Sequence, residues 1–479
     1  MSSPATPNPR RWWALALLSV AQFLVILDTS IIGVALPKID SALGFSSSSL
    51  QWVFNAYVIA FGGLLLLGGR LADLLGARRV FVGGFVLLVG ASLFAGLATS
   101  EPMLIAGRGL QGAGAALVAP AAMAIVFGLF REPKELGKAM GIWGASAPAG
   151  GTAGVFLGGV ITQWISWRWT FLINVPIGLL VLTLVPSLLP RASARRGRID
   201  FAGAATITAA ISLAVYAVVD ANNAGWRSLQ TLGLLTAAAA LLVAFVLVEQ
   251  HRREPLVRLA ILRSPNLAAA SLTMGLLGAA WIPLWFFLNL YLQQVLGYGA
   301  FASGAALLPI TVTVLVMMVG LVGRLIPRVG AKPMMITGLT VLAGGIALFA
   351  RTPIGGSFTT DVLAASLLAG IGISLTYIPA LVTALAGAKP EEAGLTSGLV
   401  STSYQVGSAL GLAVMTAVAT SATGAGTSLS SLNHGYHAAF LGAAAVAATA
   451  ALAVLLLIRR QPATAHAEAP AGAAAPQPA

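Results

Sequence analysis

Apolar runs about as long as a bilayer is thick recur fourteen times along this chain. A helix crosses the hydrocarbon core with ~20 mostly apolar residues. Runs of that length leave an all-α, polytopic membrane protein as the expected fold class. They fall near 12–36, 50–69, 80–99, 103–127, 139–160, 169–189, 201–220, 230–249, 266–292, 303–323, 333–350, 361–386, 396–420 and 437–458. The first run, preceded by Arg10 and Arg11, is too long for the ~7–15-residue apolar stretch of a secretory signal, so it is expected to be the first span.

The charges test the count. Only 9% of the residues are charged, against roughly 25% in a soluble domain. The net charge of +13 is not taken as a nucleic-acid signal, because the charges sit in short loops between apolar runs. With fourteen helices and a cytoplasmic N-terminus, 22 of the 27 basic residues fall in cytoplasmic segments, as positively charged inner loops require. Removing or adding one helix would reverse every later loop. The absence of cysteine excludes disulfides, thiolate metal sites and cysteine nucleophiles. The four histidines lie in loops, near helix ends or in the tail and form no ligand cluster, so neither a metal nor a cofactor is expected.

The segment after the second run, "GRLADLLGARR" (69–79), is echoed after the tenth by "GRLIPRVGAKP" (323–333). The echo sets helices 9–14 against helices 1–6, with helices 7 and 8 inserted between. The expected organisation is a cytoplasmic N-terminus at 1–11, a six-helix half at 12–189, a basic linker with two inserted helices at 190–265, a second half at 266–458 and a disordered cytoplasmic tail at 459–479. Two parallel six-helix halves are the plan of many secondary transporters, which alternate access around a midplane site.

Several stretches carry chemistry. In the 69–79 loop, Gly69 and Gly76 permit a tight turn, while Asp73, Arg78 and Arg79 supply charge for a cytoplasmic latch. Pro327 replaces the aspartate in the second copy, which confines that role to the first half. "RGLQGAGAA" (108–116) places Arg108 and Gln111 in helix 4 among small residues that favour close packing. Helix 5 carries Gly141, Gly150, Gly154, Gly158 and Gly159. "FLVILDTSIIGVALP" (23–37) holds one aspartate, Asp28, in an apolar run. Ionisable groups inside a membrane are costly and usually mark a pathway, often as pairs. At 1.5 Å per residue, Asp28 lies about 12 Å and Arg108 about 8 Å below the outer ends of their spans. A pairing between them is geometrically open.

Together these stretches resemble the fourteen-helix drug:proton antiporters of the major facilitator superfamily. The 69–79 loop is similar to the superfamily's loop signature. The helix-5 glycines follow its antiporter motif, with Val155 where the family has proline. "LDTSIIGVALP", "WRWTFLINVPIG" (167–178) and "YLQQVLGYGAFASGAALLP" (291–309) are similar to segments of the fourteen-helix branch. The resemblance implies a monomeric, multi-pass plasma-membrane protein with both termini cytoplasmic. It would export amphipathic organic molecules, some cationic, in exchange for protons. Asp28 and Arg108 would couple the proton, and a proton on Asp28 would disfavour a bound cation. The wall of a substrate cavity should combine polar and aromatic groups on an apolar background. Asn55, Tyr57, Gln111, Trp281, Trp285, Asn289, Tyr377, Tyr404 and Gln405 are the candidates. The alternative is a nutrient uniporter or importer on the same fold. A respiratory proton channel would need buried lysines, which the spans lack.

Overall fold

The computed structural model describes residues 10–46, 49–130, 132–190, 201–251, 264–386, 393–424, 426 and 428–458, and every regular element among them is helical. The N-terminal nine residues, the basic linker segments 191–200 and 252–263, Lys389 and the tail from 459 lie outside the described residues. Fourteen spans follow in order. They are α1 (Arg11–Leu43), α2 (Trp52–Leu71), α3 (Ala77–Gly96), α4 (Glu101–Leu129) and α5 (Pro133–Trp164). Next come α6 (Trp169–Leu188), α7 (Phe201–Ala224), α8 (Leu229–His251), α9 (Pro265–Val295) and α10 (Ala300–Val329). The last four are α11 (Ala331–Phe349), α12 (Phe358–Leu385), α13 (Ala393–Thr423) and α14 (Leu429–Leu457). An even number of crossings returns the end of α14 to the side where α1 begins.

Some helices outrun their apolar spans. α1 continues past Leu36, through Pro37, to Leu43. Proline keeps a helical φ and removes only the hydrogen bond to the carbonyl four residues back. The helix stops at Gly44, left-handed at φ 71°, whose N–H bonds to Asp40 O. That is a glycine stop of the usual kind. Ser428 caps α14 by accepting from Ser431 N–H, satisfying one of the orphan donors of its first turn.

Packing repeats between the halves. α1 lies on α5 as α9 lies on α13, α2 and α3 on α4 as α10 and α11 on α12, and α3 on α6 as α11 on α14. Between halves, α5 meets α10 and α13 meets α2, again as equivalents. The inserted pair, α7 and α8, pack on each other, with α7 against α2 and α13. Glycine enables the closest contacts. A Cβ at Gly150, Gly154 or Gly158 would come 2.5–2.9 Å from the carbonyl oxygens of Phe23, Leu27 or Ile31 of α1. In the other half Gly407 and Gly411 sit on the Gly275 and Ala279 carbonyls in the same way. Lipid is as apolar as leucine, so such backbone approach, rather than water exclusion, drives helix association here.

The loop repeat is also conformational. Gly76 has φ 92°, ψ 127° and Gly330 has φ 86°, ψ 152°. This region is essentially closed to residues with a side chain, which is strained there by about 1–3 kcal/mol. Gly76→Ala and Gly330→Ala should each destabilise the purified protein by that order, read as a lower thermal midpoint. Gly323→Ala is the control: it lies at φ −60° with open space around it. Equal midpoints for all three variants would show that the two loops relax freely.

Candidate functional site

Asp28 is 1% exposed and Arg108 is wholly buried, and they are in direct contact. Arg108 Nη1 donates to Asp28 Oδ2 at 2.7 Å. Depth alone left the pairing open; the structure makes it. One turn along α4, Gln111 shares the face of Arg108, as residues three apart do. Its Oε1 accepts from Arg108 Nη1 at 2.9 Å and its Nε2 donates to Asp28 Oδ1 at 2.9 Å. Arg108 Nε donates to Val53 O of α2 at 2.9 Å. The guanidinium lies over the Tyr57 ring, 4.4 Å from its centroid, a position that stabilises a cation electrostatically.

Two residues not singled out by sequence complete the network. Asn174, near the start of α6, donates through Nδ2 to the same Asp28 Oδ1. Ser92 of α3 accepts from Gln111 Nε2 at 2.8 Å and from Asn174 Nδ2 at 3.3 Å. Five helices therefore meet in one network, three of them at the carboxylate itself. The signal for Asn174 was a lone carboxamide inside "WRWTFLINVPIG". Ser92 gave none, since hydroxyls in apolar helices often bond to their own backbone, as Thr29 and Ser30 do to Ile26 O.

The electrostatics are those of a neutral pair held dry. Burying two ions costs several kcal/mol each, recovered only with good geometry and further hydrogen bonds. Here the carboxylate accepts three and the guanidinium donates through Nε and Nη1. Arg108 Nη2 and Asn174 Oδ1 are buried without a hydrogen-bond partner.

The remaining candidates lie apart from this network. Tyr57 and Gln111, expected in a cavity wall, are committed to the pair. Asn55 is buried on α2 with neither side-chain polar atom bonded. In the second half Trp281 and Trp285 meet edge to face at 6.0 Å, and Tyr377 of α12 meets Tyr404 of α13 edge to face at 5.7 Å. Asn289 donates to Trp285 O at 3.1 Å and packs beside Gly33 of α1; Gln405 packs on Gly62 of α2. Gly159 approaches Ala300 and Phe301 of α10, and the buried Val155 turns its carbonyl toward Gly304. The helix-5 glycines thus join α5 to two partners, one in each half. Gly69 packs on Pro120, Arg78 is half-buried and Arg79 exposed. The side chain of Asp73 and the surroundings of Gly141 lie outside the described residues.

A cavity of about 450 Å³ opens between α2 and α7, lined by Trp52, Ile59, Thr208 and Tyr216 among others. It contains none of the network side chains. The buried ionisable pair lies in the Asp28–Arg108 network, away from that apolar cleft.

Comparison with known proteins identifies the family. The model of the Major Facilitator Superfamily matches residues 18–412. The chain is 38% identical to a puromycin resistance protein of Streptomyces alboniger, covering 94% of this chain and 92% of that one. It is 40% identical to a cephamycin export protein of Amycolatopsis lactamdurans, covering 90% and 89%. A lincomycin resistance protein of Streptomyces lincolnensis is 34% identical, covering 86% and 85%. Among solved structures, the nucleoside transporter NupG superposes with a TM-score of 0.65 at 15% identity, covering 93% of this chain and 100% of that one. That likeness shows the fold alone.

Proposed function

From the premise that this chain belongs to the Major Facilitator Superfamily, we propose that it is a drug-efflux antiporter that exports amphipathic organic compounds in exchange for protons. The observation that carries the proton half is the dry Asp28–Arg108 pair. A carboxylate bound this way changes its charge only by taking up a proton. Protonation turns a neutral pair into an unbalanced Arg108 cation and alters the contacts that α4 and α6 make with Asp28 of α1. Because the ionised carboxylate is already bound by Arg108, it offers no bare negative charge to a cationic substrate. Coupling therefore runs through the geometry of the network rather than through competition for one charge.

The substrate half rests on residues nearer the other half. Trp281, Trp285, Asn289, Tyr404, Gln405 and Asn55 supply aromatic faces and a few polar groups on α9, α13 and α2, which meet across the halves, and Tyr377 meets Tyr404 from α12. Contacts tie the halves together at the end away from the termini. Gln293 Nε2 donates to Val34 O at 3.1 Å, Phe54 meets Phe286, and Phe301 meets Phe156 and Trp164. With cytoplasmic termini these contacts lie toward the outer side.

The test is reconstitution in proteoliposomes with an imposed pH gradient and a panel including puromycin, a cephamycin and lincomycin, the compounds in the relatives' names. At least one should accumulate against its own gradient with counterflow of protons. Equilibration of every transported compound without proton flux would instead establish the facilitator alternative.

A further inference from the structure

We propose that Asn174 is a positioning residue that lets Asp28 exist in both protonation states inside the bundle, donating to the carboxylate when it is ionised and accepting from the carboxyl group when it is protonated. This rests on the reading of Asp28 as the proton carrier.

The donors and acceptors around Asp28 single out one neighbour. Asp28 Oδ2 faces Arg108, so an incoming proton is accommodated on Oδ1. That oxygen already receives N–H groups from Gln111 and Asn174. A protonated carboxyl has an O–H to give, and with both donors in place it has nowhere to give it. One neighbour must turn. Arg108 has donors only. Gln111 is fully used: its oxygen is held by Arg108 and its nitrogen by Asp28 and Ser92. Ser92 Oγ already accepts from both carboxamides. Of the three residues bonded to Asp28, only Asn174 holds an acceptor in reserve, because its Oδ1 is buried with no partner. A half-turn of its amide brings Oδ1 to where Nδ2 was, opposite the new O–H.

The step is a proton transfer only. A proton from water bonds to Asp28 Oδ1, the Asn174 N–H contacts to Asp28 Oδ1 and to Ser92 Oγ break, and Asp28 O–H···Oδ1 of Asn174 forms. Release of the proton to water reverses each change. The other charged or titratable groups that face Asp28 are Arg108 of α4 and Tyr57 of α2, whose hydroxyl reaches Val25 O at 3.4 Å. α6 from Asn174 onward carries no titratable residue, α3 none beyond Arg79, and α5 none beyond Lys138.

Infrared difference spectroscopy between low and high pH tests this on the purified full-length protein, with the Asp28 carboxyl band assigned by its loss in Asp28→Asn. In Asn174→Leu that band should move to the frequency of a carboxyl group whose O–H has no acceptor. Turnover in proteoliposomes should fall roughly tenfold, one ordinary hydrogen bond expressed as a rate. Substrate affinity at fixed pH should stay near wild type. Asn174→Ser, whose hydroxyl donates or accepts as required, should keep the band in place and most of the turnover. It also serves if the leucine variant fails to insert. An unmoved band in Asn174→Leu would overturn the proposal, as would a serine variant whose band moves to the free-carboxyl frequency. A band that persists in Asp28→Asn points elsewhere: it would overturn the reading of Asp28 itself.

Discussion

Asp28→Asn is expected to give a folded, membrane-inserted protein that binds substrate and cannot accumulate it against a gradient. The amide nearly matches the carboxylate in shape and keeps an oxygen for Arg108, but it cannot ionise. Arg108 is then an unbalanced cation at every pH, as in the protonated state of the native network. It still donates to Val53 O and Gln111 and lies on the Tyr57 ring, so the fold retains a place for it. What disappears is the second state. Substrate binding should lose its pH dependence, and an imposed proton gradient should no longer drive transport. Proton-driven accumulation by the amide variant would move the coupling role to another residue. A protein that fails to insert would show that the pair is needed for folding first.

How much of this was legible in the sequence differs by level. The number of helices followed from apolar run length and loop charge because a bilayer admits few other solutions. The two halves followed from the glycine loop, because a backbone near φ +90° selects glycine wherever it recurs, as at Gly76 and Gly330. Asp28 and Arg108 stood out because charge in hydrocarbon is costly. Their contact did not follow. Depth gave the layer, but which faces of α1 and α4 meet depends on packing through α2 and α5. Asn174 and Ser92 were hidden for a related reason: small polar side chains are common in membrane helices and bond locally unless a neighbour intervenes. The aromatic candidates separated from the charged network for the same cause, since no sequence spacing relates α9, α12 and α13 to α1 and α4.

Arg108→Met is expected to cost about 3–5 kcal/mol of stability at neutral pH, the usual result of removing one partner from a buried ion pair. Methionine fills much of the volume, so the loss is chiefly electrostatic. It leaves Asp28 buried with only the Gln111 and Asn174 amides for company. An isolated buried carboxylate escapes its cost by taking up a proton. The native state of this variant then binds a proton that the unfolded chain releases, so its stability falls as pH rises and recovers as pH falls. The double variant Asp28→Asn with Arg108→Met removes the stranded charge and should regain several kcal/mol over Arg108→Met at neutral pH, with no such pH dependence. Neither variant should pump. Unfolding in detergent as a function of pH, run on the four proteins of the cycle, separates the pair's mutual energy from the loss of either side chain alone. If the single and double variants unfold alike across the pH range, Asp28 is not stranded without Arg108. The contact at 2.7 Å would then be a neighbourly one, and the switch would have to be sought outside it.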